Sequence, residues 1–101
     1  MGAATEEVSP AHEMRILGGH PKDVVEAHPE VNWKRGDTRI IWSRDNQDEV
    51  VNARRTFDDL VRKGFLAFRV EGKEGMKGEQ IKEFDPNAER LILTPALRGG
   101  A

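Results

Sequence analysis

The run "RDNQDEVVNARRTFDDLVRKGFLAFRV", residues 44–70, constrains the fold more than any other part of the chain. Val50, Ala53, Phe57, Leu60 and Val61 fall at i, i+3, i+7, i+10 and i+11, which puts them on one face of a helix. Asp45 or Asn46 can accept hydrogen bonds from the first helical amides. Asp48 or Glu49 stands three residues later for the reciprocal bond of a capping box. Gly64 supplies the left-handed stop. The pattern predicts a helix over residues 46–63 that passes directly into a strand, "FLAFRV" (65–70). A helix with one apolar face must bury that face, and here the available cover is a sheet.

The remaining segments supply that sheet. "TRIIWS" (38–43) is β-branched and aromatic and follows Gly36-Asp37, so it reads as a strand in which Trp42 and Ile40 alternate toward the core. "MRIL" (14–17) is a short strand stopped by Gly18-Gly19, "EQIKEF" (79–84) an edge strand, and "RLILT" (90–94) the last strand, ended by Pro95. "EGKEGMKGE" is expected to be a hairpin tip, and "DPNAE" a turn in which Asp85 bonds backbone amides. Two His-Pro steps disfavour helix before each proline, so residues 18–36 read as a long loop or insertion. Pro21 can open one helical turn there, through "KDVVEAH". The fold class is α+β, in the order β-β-α-β-β-β, with the helix packed on a 4–5-stranded mixed or antiparallel sheet. One domain spans residues 14–95, between a mobile acidic arm (1–13) and an extended tail (96–101).

A chain of 101 residues makes one small domain, and 37% apolar against 34% charged residues leaves it a modest core. Small domains bury a lower share of their surface, so a partner or self-association is a natural source of added stability. The net charge of −2 argues against a general nucleic-acid binder, whose affinity needs excess positive charge. The absence of cysteine excludes disulfides, thiolate catalysis and cysteine-bound metals. No apolar run is long enough to cross a bilayer, and the N-terminus lacks the basic and apolar regions of a secretory signal.

The side chains offer little chemistry. His12, His20 and His28 are eight residues apart, too wide for a compact metal clamp, and read as solvated loop residues. The outer helix face carries Arg54, Arg55, Asp58, Asp59, Arg62 and Lys63, each basic residue four positions from an acid, so it is expected to neutralise itself. The alternative use of Arg54, Arg55, Arg62 and Lys63 is a nucleic-acid contact. The serines, Ser9 and Ser43, have no catalytic context, and "EGKEGMKGE" joins strands rather than opening a helix that would bind phosphate. The sequence therefore implies no enzyme, no metal and no cofactor. Trp33, in the charged stretch "EVNWKRGD", either covers the core or anchors a partner.

Two resemblances bear on function. The segments "GDTRIIWSRDNQDEVVNARRTFDDLVRKGFLAFRV" and "GEQIKEFDPNAERLILTPALRGG" resemble a family of short, unannotated proteins from phage and phage-like gene clusters. That resemblance implies a small repeated virion component, capsid-associated, decorating or assembling, found in the virion or host cytoplasm. Its partners would be copies of itself or a shell or lattice protein. A hairpin, a helix and further strands ending in Leu97-Arg98-Gly99-Gly100 resemble the ubiquitin-like β-grasp proteins. This second resemblance implies a modifier conjugated through Gly100 once a peptidase has removed Ala101. Trp33, Arg98, Gly99 and Gly100 are the candidate partner-binding residues.

Overall fold

The computed structural model describes residues 11–71 and 78–96. Five strands, β1 (His12–Ile16), β2 (Thr38–Trp42), β3 (Phe65–Val70), β4 (Glu79–Ile81) and β5 (Arg90–Pro95), form one sheet in the order β2-β1-β5-β3-β4. β1 and β5 are parallel in the middle, and the other pairings are antiparallel, so the sheet is mixed. Helix α2 (Gln47–Arg62) packs across one face, and a short helix α1 (Lys22–Ala27) touches α2 from the loop between β1 and β2. This is the expected α+β class.

Helix α2 starts where its capping residues dictate. The Asn46 side chain accepts from the Glu49 amide at 3.2 Å. The Glu49 carboxylate reaches past Asn46 to accept from the Ser43 amide at 2.9 Å, so the reciprocal bond falls one turn earlier than a capping box places it. Gly64, at φ +104°, ends the helix and turns the chain straight into β3. Ala53, Thr56, Phe57 and Leu60 are buried beneath the sheet, with Val50 and Val61 packed at the margin. Burying a side chain the size of Phe57 is worth about 2–3 kcal/mol.

The opposing sheet face contributes Met14 and Ile16 from β1, Trp42 from β2, Phe65 and Ala67 from β3, and Leu91 and Leu93 from β5. The loop over residues 82–89 folds under this layer and closes the core at one end. Phe84 lies 5.0 Å from the Trp42 ring and 5.7 Å from Phe57. Trp42 Nε1 donates to the Pro86 carbonyl at 3.1 Å, so the indole is buried without an orphaned donor. Asp85 accepts from the Asn87 amide and from Arg69, which fixes the expected turn.

Several expectations are corrected. β1 begins at His12 rather than at Met14, because His12 pairs with Trp42 and its ring stacks on that indole at 5.5 Å. β4 stops at Ile81 rather than Phe84, because Phe84 is drawn into the core. Residues 18–36 do contain the helical turn opened by Pro21. Pro95 is the last residue of β5, opposite Phe65, and Gly18 at φ +81° lies so close that an added Cβ would stand 2.9 Å from the Pro95 ring. The hairpin tip over residues 72–77, the first ten residues and residues 97–101 lie outside the described residues.

Candidate protein-interaction surface

One edge of the sheet is open in a way that the hydrogen-bond pattern defines. The Glu13 amide donates to the Glu89 carbonyl at 3.2 Å, and the Leu17 amide to the Leu93 carbonyl at 2.8 Å. Backbone groups alternate sides along a strand, so Glu13, Arg15 and Leu17 face β5, while His12, Met14 and Ile16 face β2. Those three oppose Trp42, Ile40 and Thr38. The amides and carbonyls of Arg39 and Ile41 therefore point away from β1, and no described strand lies on that side. The other edge, β4, is only three residues long and carries Glu79, a common way of blunting an edge.

Two grooves flank this edge and share Asn32, Arg39 and Ile41. The first, about 330 Å³, runs between β2 and α2 and is lined by Val31, Ile40 and Ala53, with Glu30, Glu49 and Asn52 at its rim. The second lies on the sheet face opposite α2 and includes Arg15, Lys34 and Asp37. Ile41 is 49% exposed, the most exposed of the large apolar residues described.

The charge beside the edge is organised by Glu13. Arg15 and Arg39 stand directly opposite each other in the β1–β2 register, a like-charge pairing that is unfavourable alone. Glu13 lies between them, 2.9 Å from Arg15, 3.3 Å from Arg39 and 4.0 Å from Arg90. Its partial burial would raise its pKa. The hydrogen bond from Arg15 and the charges of Arg39, Arg15 and Arg90 outweigh that and hold it below the ordinary value. One carboxylate thus serves three guanidinium groups, and Asp37 lies 3.7 Å from Arg15.

The wall of the first groove is held by histidines, which are not the solvated loop residues that the sequence suggested. His28 is 1% exposed, and its Nε2 is 2.6 Å from Asp59 Oδ2 on α2. The His28 carbonyl accepts from the Val31 amide and from Trp33 Nε1, each at about 3.0 Å, so this residue positions both. His20 Nε2 lies 2.9 Å from Thr38 Oγ1 and 3.0 Å from the Lys34 carbonyl, tying the loop to the start of β2. His12 Nδ1 bonds the Ala88 carbonyl at 2.7 Å. Among the described residues no group of three or more His, Asp or Glu side chains converges as a metal site.

Trp33 is half-buried against the core, beside His20 at 5.0 Å. It therefore covers the core, and its edge borders the loop that forms the groove. Arg98, Gly99 and Gly100 lie outside the described residues. The outer face of α2 is neutralised differently from the i,i+4 scheme. Asp59 pairs with His28 and with Arg62 three residues on, Lys63 pairs with Asp23 of α1, and Arg54 lies 6.0 Å from the centre of the Phe84 ring. Sequence reasoning missed Arg39 and Ile41 as site residues. The signal available was "RIIW" in a strand with an outward Arg and Ile, but which strand lies at the edge is set by sheet order, which local letters do not carry. No helix among the described residues is long and apolar enough to cross a membrane.

No protein-family model, no curated protein and no solved structure matches this chain.

Proposed function

We propose that this chain is a non-enzymatic protein-interaction module that docks an extended strand of its partner on the free edge of β2. The observation that supports this reading is the edge itself: outward backbone groups at Arg39 and Ile41, an exposed isoleucine, and a groove on each side. Strand addition draws affinity from main-chain hydrogen bonds and specificity from pockets for alternate side chains. Within that class, the resemblance to short phage-cluster proteins favours a repeated component of a phage-type particle, whose partner is a shell or lattice protein or another copy of this chain. Size-exclusion chromatography with mass measurement tests this, on the protein alone and mixed with candidate shell proteins. Co-elution at defined stoichiometry is expected; a stable monomer that binds none of them removes the reading.

A second reading is a ubiquitin-like modifier. It is favoured by one observation: β5, parallel to β1 in the middle of the sheet, ends at Pro95, two positions before Leu97-Arg98-Gly99-Gly100 in the sequence. Intact mass spectrometry of protein from its native host distinguishes it. Chains ending at Gly100 together with higher-mass conjugates are expected, and chains ending only at Ala101 without conjugates exclude it.

A further inference from the structure

We infer that the partner segment received by β2 is an extended acidic–apolar strand, with a carboxylate opposite Arg39 and apolar side chains opposite Ile40 and Ile41. The inference rests on edge docking as the mode of binding and adds the chemistry of the partner.

The two sides of the edge ask for different side chains. Residues of an added strand alternate between the two faces of the sheet. A residue opposite Ile40 points to the α2 side, into the groove walled by Val31, Ile40 and Ala53. That position takes an aliphatic side chain, which lies against Val31, Ile40 and Ala53, whereas a carboxylate there would meet Glu30 and Glu49. The residues before and after it point to the other face, one beside Arg39 and one beside Ile41.

Beside Arg39 the field is positive. On the sheet face opposite α2, Arg15, Arg39 and Arg90 share Glu13 and Lys34 adds a fourth cation, and Asp37 is the one acid among the described residues that line this groove; Glu30 and Glu49 line the groove on the α2 side. Arg39 remains 57% exposed along its side chain, so its guanidinium is available at the edge. An arriving carboxylate would relieve the Arg15–Arg39 opposition that Glu13 only partly neutralises, and a lysine would add to it. The Ile41 position favours a second apolar side chain, because that isoleucine is otherwise left in water. The segment thus reads acid, apolar, apolar along the register from Arg39 to Ile41. In a phage-type particle or elsewhere, such a strand would come from an extended terminus or loop of the partner protein.

The experiment uses the full chain, labelled with nitrogen-15, and three synthetic peptides: GSDVVISG, its lysine counterpart GSKVVISG, and GSDVVISG with N-methylated valines. Amide spectra are titrated at about 50 mM and about 500 mM salt, since screening weakens exposed charge pairs. The inference expects shifts at Val31, Arg39 and Ile41 with the aspartate peptide. Binding should be about tenfold weaker for the lysine peptide at low salt, with the gap shrinking at high salt. The Arg39→Glu variant should reverse that preference. The N-methylated peptide should not bind, since strand pairing needs its amides.

Equal binding of the aspartate and lysine peptides at β2 overturns the acidic preference and leaves edge docking standing. Absence of any shift at Arg39 and Ile41 with all three peptides overturns both. Hydrogen-exchange protection of the Arg39 and Ile41 amides in the free chain also overturns the inference. If that protection grows with protein concentration, the occupant is a second copy. If it is independent of concentration, the occupant is a segment of the same chain.

Discussion

His28 Nε2 stands 2.6 Å from Asp59 Oδ2, joining the end of α1 to the fourth turn of α2 across thirty-one residues of chain. The same histidine offers its carbonyl to Val31 and Trp33. This buried residue therefore ties the β1–β2 connection to the main helix through its side chain and positions one wall of the groove beside β2 through its backbone carbonyl. Replacing His28 by Ala removes the tie and leaves a cavity in a closed site, and should lower stability by about 2 kcal/mol. Urea unfolding followed by tryptophan fluorescence measures this, because Trp33 lies on the released loop.

Asp59 is the half-buried member of the same pair, with its second oxygen held by Arg62 at 2.7 Å. Asp59→Ala should cost about 1 kcal/mol, the net worth of a typical intramolecular hydrogen bond. The two substitutions should not add, since each removes the same contact. A double-mutant cycle on urea midpoints checks this; full additivity would show that His28 acts through packing alone.

Glu13 gives the protein an acid-sensitive term of known sign. Its pKa in the folded protein is lowered from the ordinary 4.5, opposed by partial burial and driven by Arg15, Arg39 and Arg90. The unfolded chain takes up this proton at higher pH than the folded chain does, so stability rises with pH through that interval. The contribution is fully present above about pH 4.5 and is lost as pH falls through the lower folded value. Asp85 follows the same rule below its ordinary 3.8: partial burial opposes the shift, and the Asn87 amide and Arg69 outweigh it. Glu13→Gln should therefore lower stability at neutral pH and flatten the loss as pH falls below the ordinary 4.5, in urea titrations at each pH.

The helix and the strand class were legible because their causes are local. Asn46, Glu49 and Gly64 mark the ends of α2, and the period of Ala53, Phe57 and Leu60 gives its buried face. Trp42 was legible as core for the same reason. The roles of the histidines were not, because His28 is buried by contacts thirty-one residues away, and a His-Pro step in a charged stretch looks the same whether solvated or covered. The edge status of β2 depends on β5 inserting parallel to β1, a pairing between the two ends of the chain that no local pattern encodes. The candidate site was invisible for that reason, while the fold around it was largely readable.

Phe57 and Arg54 sit one turn apart on α2 and should answer oppositely to truncation. Phe57 is fully buried and meets Phe84 at 5.7 Å, so Phe57→Ala should cost about 3–5 kcal/mol. That is a large part of the stability of a domain this small. Arg54 is exposed and only lies over the Phe84 ring, so Arg54→Ala should stay within about 0.5 kcal/mol. Thermal unfolding of both variants measures the contrast, and a large loss at Arg54 would mean that its contact with Phe84 closes the core.

The direction of the backbone groups on β2 makes a sharper prediction. Thr38, Ile40 and Trp42 oppose Ile16, Met14 and His12, whose amides face them, so their own amides are paired and should exchange slowly with solvent. The Arg39 and Ile41 amides point outward and should exchange quickly in the free protein, giving an alternating pattern over five consecutive residues. Proline substitution reads the same polarity as stability. A proline is tolerated on an edge strand where the lost amide faces solvent and is costly where it removes a ladder bond. Ile41→Pro should therefore keep the fold with a small loss, while Ile40→Pro should break the β1–β2 pairing and cost at least about 3 kcal/mol. The Ile41→Pro chain should also lose its ability to accept a partner strand, because the outward donor at the centre of the docking edge is gone. If instead Ile40 exchanges quickly and Ile41 slowly, the ladder is registered the other way, and Thr38, Ile40 and Trp42 would be the groups offered to a partner.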